Sequence, residues 1–390
     1  MPRALLAAVA AFALLAVPAS ADVRQGPKGA AFYKPPKHLH GKHGALIWAR
    51  KQTGSDALKG AKKDALLLYA SKDLHGKLTA VSGSLALPKG KAPKGGWPII
   101  TYAHGATGAA DACAPTRGYD GGKLTSYAYP LLKRWLKAGS AVVRTDYDGL
   151  GTPGVHQFLV GESEGRSVLD AVRAARAYSP KLSKRFVIAG HSQGGHASLF
   201  AAAAAPNYVP ELKLRGTVAF APASHLKTQF AVITGSTSTG PSGGLGAFVS
   251  LGLRAIDTVD PNLGVPALLT QQAAALYPQT KTRCYDALSK TDSLGGVPLN
   301  QFLQPSKDLT PLFNAIGEND PEHLRMRTPV RIEQGDADQT VFAVFTKQLV
   351  DEYEANNVKV DYKVYAGVNH GGIVNSAAAD SSAWIKKRLK

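Results

Sequence analysis

The feature that most constrains the fold is a Gly-His-Ser-Gln-Gly motif at 190–194. The apolar run before it, 185–189, is typical of a buried strand, and an alanine-rich helical segment, 197–205, follows it. A serine between two such glycines is typical of a sharp strand-to-helix turn that holds the hydroxyl clear of the backbone. The N-terminus of the following helix would stabilise negative charge that develops beside this serine. The motif therefore predicts Ser192 as a nucleophile.

A second match to the same pattern, Gly-Glu-Ser-Glu-Gly at 161–165, makes Ser163 a rival nucleophile. The residues before it, 157–160, are a poor candidate for a central strand. Its two glutamates would place carboxylates beside a developing oxyanion and raise the reaction barrier. We therefore interpret this match as a helix N-terminus, with Ser163 as the cap and Glu164 as an acid in the first turn.

From Ala65 onward, short β-rich runs alternate with helical ones, a pattern typical of a mostly parallel sheet flanked by helices in an α/β fold. The predicted strands are 66–70, 78–87, 97–102, 141–145, 186–189, 216–220, 330–333 and 358–365. The predicted helices are 129–138, 167–178, the segment through 197–205, and 377–389.

One interval interrupts this alternation, because about a hundred residues separate the strands near 221 and 329, far more than an ordinary crossover needs. We predict that residues 222–325 form a helical cap inserted before the next strand. The core would then comprise residues 65–221 and 326–390, preceded by a lysine-rich N-terminal arm at 22–64.

Two further residues complete a candidate catalytic set, in the chain order serine, acid, histidine that is typical of α/β-hydrolases. Strand 330–334 precedes Asp336 and Asp338, and the spacing Gly-x-x-Asp-x-x-Val favours Asp338 as the acid. Asp336 remains the alternative, although it also suits a turn residue that bonds its own backbone. His370 follows the last predicted strand and would act as the base that accepts the Ser192 proton.

An oxyanion hole needs two backbone N–H groups near the nucleophile. Gln193, the residue after the serine, would supply one of them. The other would come from the loop after strand 97–102, which reads Ala-His-Gly-Ala-Thr-Gly at 103–108. Gly105 and Ala106 are both candidates, and the sequence does not decide between them.

The N-terminus is typical of an exported protein. Arg3 precedes an apolar run at 4–17 that is too short to span a bilayer, and Ala-Ser-Ala at 19–21 forms a cleavage site. We therefore predict a signal peptide cleaved after Ala21, a secreted extracellular protein, and no transmembrane segment. The absence of an apolar run of about 18 residues elsewhere supports this interpretation.

The composition excludes several partners. The 390 residues carry a formal net charge of +18, but the lysines are scattered and are not interleaved with aromatic residues as in a nucleic-acid platform. Two cysteines are too few for a cysteine-rich metal cluster. We therefore expect no nucleic-acid partner and no cysteine-rich metal site. A serine, acid and histidine set implies neither a metal nor an organic cofactor, and we expect a monomer.

Taken together, the motifs resemble those of the secretory lipases of actinobacteria and fungi, the Candida lipase A type. The segments that carry this resemblance are 104–108, 113–115, 146–154, 158–161, 166–170 and 190–195. The resemblance implies an α/β-hydrolase fold with a helical cap inserted before the acid-bearing strand, and Ser192, Asp338 and His370 as a catalytic triad. It also implies a disulfide between Cys113 and Cys284, joining the oxyanion loop to the cap.

The expected function is that of a secreted carboxylic-ester hydrolase, a lipase or esterase that works through an acyl-enzyme intermediate. Its partners would be an ester or lipid substrate and, transiently, a lipid interface. Three alternatives use the same fold: a short-chain, aromatic-acid or polyester esterase, a serine peptidase, and a non-catalytic binding protein. The two enzyme alternatives would use the same triad, whereas a binding protein would be expected to have lost one of its members.

Overall fold

A nine-stranded sheet forms the centre of the molecule in a computed structural model that describes residues 23–390. The predicted signal peptide lies outside these residues. The strands are β1 (Leu46–Lys51), β2 (Lys63–Lys72), β3 (Leu78–Leu87), β4 (Trp97–Ala103), β5 (Ala141–Thr145), β6 (Leu182–His191), β7 (Lys213–Phe220), β8 (Val330–Gly335) and β9 (Val360–Tyr365). Their spatial order is β1-β2-β3-β5-β4-β6-β7-β8-β9. The pairs from β1 to β5 in this order are antiparallel, and those from β5 to β9 are parallel.

Helices connect and cover the strands. The α-helices are α1 (Tyr129–Lys137), α2 (Gly161–Tyr178), α3 (Gln193–Tyr208), α4 (Leu226–Thr234), α5 (Gly244–Val259), α6 (Val265–Leu268), α7 (Gln271–Leu276), α8 (Tyr285–Leu288), α9 (Thr310–Gly317), α10 (Ala343–Ala355), α11 (Ile373–Ser376) and α12 (Ala378–Leu389). Short 3₁₀ helices span Gly29–Tyr33, Asp111–Cys113, Pro115–Arg117, Tyr119–Gly122, Ser126–Ala128, Pro261–Leu263, Tyr277–Lys281, Leu294–Gly296, Leu299–Gln301 and Pro321–His323. Within residues 23–390, every helix is too short or too polar to span a bilayer.

Both faces of the sheet are buried, because successive strand residues point to opposite sides. In β4, Ile99 packs into a cluster with residues of α2, α3 and α10, whereas Ile100 packs into a second cluster with residues of α1, α11 and α12. Parallel strands covered on both faces are expected to be mostly apolar, as β4 is. The predicted fold class, an α/β-hydrolase-type sheet flanked by helices, is confirmed.

The helices between β7 and β8, α4 to α9, pack around a hydrophobic cluster of their own. Phe230, Leu251, Phe302 and Leu312 are buried in this cluster. Phe158, from the loop before α2, belongs to the same cluster. The inserted segment is therefore a helical layer with its own core, seated on a loop of the sheet domain.

Two local predictions differ from the structure. The segment predicted as a basic arm contains β1, which the sequence analysis missed; β1 pairs with β2 and buries Trp48. Helix α2 begins at Gly161, six residues before the predicted start, and the glycines at 161 and 165 are packing positions within it. A β-carbon at Gly161 would lie 2.3 Å from the Phe200 ring of α3.

The disulfide between Cys113 and Cys284 is present, as the resemblance implied, and it joins residues 171 positions apart. Around it, Gly108 pairs with Cys284 in an isolated bridge, and the Tyr285 N–H donates to the Thr107 carbonyl at 2.9 Å. The loop after β4 is therefore fixed to α8 of the cap by one covalent bond and by main-chain hydrogen bonding.

Replacing both cysteines by serine should destabilise the protein. In the chain-entropy model, a bridge that closes a loop of this length contributes up to about 5 kcal/mol to the free energy of unfolding. Urea unfolding followed by tryptophan fluorescence would measure the loss. Reduced wild-type protein is the control and should unfold at the same urea concentration as the variant. An unchanged midpoint for the variant relative to oxidised wild type would contradict the prediction.

Candidate active site

The chain makes a strained turn at Ser192, between β6 and α3. Ser192 has φ 59° and ψ −121°, a conformation that non-glycine residues rarely adopt. Main-chain hydrogen bonds hold it: the Ser192 N–H donates to the Phe220 carbonyl at 2.9 Å, and the Ser192 carbonyl accepts from the His196 N–H at 3.0 Å. The side chain is 7% exposed and forms part of the lining of a cavity. This is the strand-turn-helix context that the motif predicted.

The motif glycines allow three backbone segments to meet at this turn. A β-carbon at Gly190 would lie 2.0 Å from the Gly194 carbonyl oxygen, and one at Gly194 would lie 2.0 Å from the Ala103 carbonyl oxygen. Neither distance is compatible with a side chain. The turn therefore packs directly against the end of β4, where the predicted oxyanion loop begins.

The rival serine lies in a different environment. Ser163 is the third residue of α2, it is 2% exposed, and the residue at the cap position is Val160. The prediction that Ser163 caps the helix is therefore wrong, since the helix begins at Gly161, three residues earlier than a Ser163 cap requires. Glu164 does lie in the first turn, as predicted, but its carboxylate is buried.

The acid and the base predicted from sequence are in contact. His370 Nδ1 lies 2.7 Å from Asp338 Oδ2, and the other oxygen of Asp338 accepts the N–H groups of Thr340 and Val341 at 2.8 and 2.9 Å. Burial disfavours the charged carboxylate, but His370 and these two N–H groups together hold the pKa of Asp338 below its ordinary value. Asp338 is therefore ionised near neutral pH and orients the imidazole.

The alternative acid, Asp336, has a different role. Its side chain is exposed, and its Oδ1 accepts the Gly367 N–H at 2.6 Å. This bond ties the turn after β8 to the turn after β9. The geometry thus brings Asp338, and not Asp336, to His370.

His191 positions the loop that carries His370. The His191 Nε2–H donates to the His370 carbonyl at 2.9 Å, and its Nδ1 lies 2.9 Å from the Tyr127 hydroxyl. Burial is the larger cause and the nearby His370 the smaller cause that lower the pKa of His191 to about 3. The imidazole is therefore neutral, and Nδ1 can accept a hydrogen bond from the Tyr127 hydroxyl. Within residues 23–390, no hydrogen bond joins the Ser192 hydroxyl to His370. Tyr127 was missed by sequence reasoning, because no motif surrounds it.

The candidate oxyanion donors lie around the same turn. Gln193 is the first residue of α3, so its N–H has no acceptor within the helix. A β-carbon at Gly105 would lie 2.9 Å from the Tyr127 hydroxyl and 3.3 Å from His191 Nδ1, so this loop packs against the turn. Ala106 is partly buried and packs against the hydrophobic cluster of the cap.

An apolar cavity of about 60 Å³ reaches Ser192 and Gln193. The loop before α2 and the cap helices α4 and α5 supply most of its wall: Phe158, Leu159, Leu226, Phe230, Phe248 and Val249. The volume suits a few water molecules or a small group. A longer chain would extend beyond this volume or move the side chains of the cap apart.

Among the described residues, one group of three has the residue types of a metal site: His225, Glu322 and Glu352, whose ligand atoms lie within 4.8 Å of one another. Both imidazole nitrogens face carboxylates, at 2.9 Å for Nδ1 and Glu322 and at 3.4 Å for Nε2 and Glu352. A metal-bound imidazole must present a free lone pair, whereas this arrangement favours two N–H donors. We interpret the group as an ion-pair cluster that joins the two ends of the cap to α10.

The cluster should make stability depend on pH. Burial disfavours the imidazolium, but Glu322 and Glu352 outweigh it and raise the pKa of His225 above 6.5; His225 in turn holds the pKa of Glu322 below 4.5. A raised histidine pKa stabilises the fold at low pH and ceases to do so as pH rises through that pKa. The lowered Glu322 pKa has the opposite dependence, losing its contribution at acidic pH.

The melting temperature of the wild type should therefore exceed that of His225→Gln most between pH 4.5 and 6.5, and the difference should shrink at higher pH. Differential scanning fluorimetry across this range measures it. His323→Gln is the matched control, since His323 is an exposed histidine at the same end of the cap and should show no such trend. A difference that is constant with pH would contradict the ion-pair interpretation.

Comparison with known proteins identifies relatives of this chain. Residues 121–284 match the family model described as "Secretory lipase". The chain is similar to Lipase A of Moesziomyces aphidis, with 28% identity over 228 residues, 54% of this chain and 47% of that protein. The chain thus spans about half the length of this curated relative. A longer match, 25% identical over 83% of this chain and 73% of the other, is with a Mycobacterium tuberculosis protein named "Probable inactive lipase".

The structural comparison agrees in fold. Candida antarctica lipase A in its closed state superposes with a TM-score of 0.75 at 20% identity, covering 89% of this chain and 82% of that one. At this identity the match concerns the fold alone. The sequence matches and the superposition together confirm that this chain is similar to the secretory lipase family and has the α/β-hydrolase fold.

Proposed function

We propose that the protein is a secreted serine carboxylic-ester hydrolase of the lipase or esterase type. The observation that carries this proposal is the strained Ser192 turn beside the Asp338–His370 hydrogen bond, at the wall of an apolar cavity. The similarity to secretory lipases supports the same class of reaction. The disulfide supports an oxidising, extracellular location, which agrees with the predicted signal peptide.

In the proposed mechanism, His370 Nε2 accepts the proton of the Ser192 hydroxyl as the serine oxygen attacks the ester carbonyl carbon. Asp338 keeps the proton of His370 on Nδ1 and stabilises the imidazolium. The imidazolium then gives its proton to the departing alkoxide, and an acyl-enzyme remains. Water, deprotonated by His370, attacks the acyl carbon, and the carboxylic acid leaves with Ser192 restored.

The oxyanion formed in each attack would accept hydrogen bonds from two backbone N–H groups. One is that of Gln193, at the N-terminus of α3, where the helix dipole also favours negative charge. For the second we favour Ala106 over Gly105. The Gly105 backbone faces the Tyr127 hydroxyl. Burial raises the pKa of this hydroxyl to about 12, although its contacts with Tyr102 and Gly105 act to lower it.

The apolar wall supports an acyl group as the part of the substrate held in the cavity. Phe158, Phe230 and Phe248 offer no charged or hydrogen-bonding group, so this wall suits an acyl chain and disfavours a peptidase that would bind a polar or charged side chain. The small cavity volume keeps a short-chain esterase as the second candidate. The name of the mycobacterial relative suggests the non-catalytic alternative. A binding protein would be expected to lack one of the catalytic groups, whereas Ser192, Asp338 and His370 are all present in this chain.

Ser192→Ala should lower kcat for p-nitrophenyl esters by about 10⁴-fold or more, because the nucleophile is lost. It should also abolish covalent labelling by a fluorophosphonate probe. Ser163→Ala is the matched control: it removes the rival serine hydroxyl from α2 and should leave both readouts unchanged. An unlabelled wild-type protein would favour the binding-protein alternative, and an inactive Ser163→Ala enzyme that still folds would favour the rival nucleophile.

The acyl-chain preference separates the lipase from the short-chain esterase. If the cap opens, kcat/KM should rise by about tenfold or more from acetate to octanoate, since each buried methylene contributes about 0.8 kcal/mol. Phe230→Ala, in the cavity wall, should reduce the octanoate rate more than the acetate rate. Val232→Ala, in the same helix but 57% exposed, should not. A sharp maximum between acetate and butyrate would reject the lipase assignment.

A further inference from the structure

A buried carboxylate lies directly behind the nucleophile turn and has no part in the proposed triad. Glu164, in the first turn of α2, is 1% exposed. Its Oε1 accepts a hydrogen bond from Gln193 Nε2 at 2.6 Å and another from the Leu159 N–H at 3.0 Å. The same oxygen is thus bonded to the residue next to the nucleophile and to a residue of the cavity wall.

The close packing of α2 on α3 brings this carboxylate to the turn. A β-carbon at Gly165 would lie 2.9 Å from the Ala201 nitrogen of α3, and one at Gly161 would overlap the Phe200 ring. Larger residues at either position would push α2 away. The glycines on both sides of Glu164 therefore allow its side chain to reach Gln193.

The side chain of Gln193 is fixed through both of its amide protons. One goes to Glu164, and the other goes to His156 Nε2, 2.8 Å away. His156 can accept it because its Nδ1–H donates to the Asp148 carbonyl at 3.2 Å, and because burial lowers the pKa of His156 to about 3 and keeps it neutral. Gln193, which would supply the first oxyanion N–H, is therefore held by its side chain as well as by its place in α3.

Leu159 is held by the same oxygen in an unusual conformation. Its φ is 58°, in the left-handed region that a leucine rarely occupies, and its N–H is the group that donates to Glu164. Leu159 lines the cavity beside Ser192. A movement of Glu164 would therefore displace one wall of the acyl site and the anchored side chain of Gln193 together.

The second oxygen of Glu164 faces another residue of α3. Oε2 lies 3.5 Å from His196 Nδ1, and His196 Nε2 must carry its proton because it donates to the Asn319 carbonyl at 2.8 Å. Both atoms are buried and have no other hydrogen-bond partner among the described residues, so a proton carried by either one faces the other. Oε1 accepts hydrogen bonds whether that proton is on Glu164 or on His196. The role of Glu164 therefore depends on the Oε1 atom and not on whether the carboxyl group is charged.

We propose that Glu164 is a positioning residue for ester hydrolysis, which fixes Gln193 and Leu159 through one carboxylate oxygen and thereby aligns the oxyanion N–H with the acyl site. This inference rests on the proposed function. Glu164 does not contact the reacting atoms; it acts through the two residues that do line the site.

The test compares three variants in p-nitrophenyl acetate hydrolysis, with kcat expressed per site titrated by the fluorophosphonate probe so that only folded molecules count. Glu164→Ala should lower kcat by about 10- to 100-fold, because small misplacements of oxyanion donors cost this much. Glu164→Gln should stay within about threefold of wild type, since its amide oxygen can replace Oε1 and its NH₂ can donate to His196. Glu162→Ala, an exposed neighbour in the same turn, is the matched control and should leave kcat unchanged.

A double variant addresses the route of the effect. If Glu164 acts through the side chain of Gln193, Glu164→Ala combined with Gln193→Ala should be no slower than the slower single variant. Equal kcat for Glu164→Ala and Glu162→Ala, or equal losses for Glu164→Ala and Glu164→Gln, would overturn the proposal while the wild type remains active. A wild type that hydrolyses no ester would overturn it together with the proposed function.

Discussion

The close approach of three backbone segments at Ser192 is the constraint on which the rest of the structure depends. Gly190 and Gly194 let the end of β6, the start of α3 and the end of β4 meet without side chains between them. The main chain at Ser192 then adopts a strained conformation that neighbouring hydrogen bonds to β7 and α3 maintain. Because β4 and β6 are part of the buried sheet, the hydroxyl is held at a fixed place at the carboxyl edge of the parallel strands, where α/β folds bind their ligands.

Structures attached to this edge complete the site from three directions. The turns after β8 and β9 bring Asp338 to His370, and His191 ties the His370 backbone to the turn itself. The cap supplies the apolar wall, and the Cys113–Cys284 disulfide holds it to the loop that follows β4. The covalent link between the cap and the sheet domain therefore lies at this loop, whereas α4 and α5 line the cavity.

How far the sequence could predict the fold and the site depended on how local each signal was. Ser192 and His370 follow apolar strands and carry local motifs, and the spacing after β8 favoured Asp338 over Asp336 without excluding it. The contact with His370 required the turns of two strands to meet, which only the folded chain provides. The edge strand β1 was missed because it is short and ends in charged residues. The start of α2 was placed too late, at 167, because the apolar spacing begins there and no local signal shows that Gly161 and Gly165 serve helix packing.

The sequence by itself determined the fold class, the strand-turn-helix at Ser192 and the order of the candidate catalytic residues, because each depends on periodicity or on a short motif. Only the tertiary structure decided that Glu164 is a buried partner of Gln193 and that His191 and Tyr127 support the loop of His370. It also decided that His225 joins both ends of the cap to α10. These contacts connect residues that are far apart in the chain, and their geometry follows from how helices and strands pack, which no local pattern encodes.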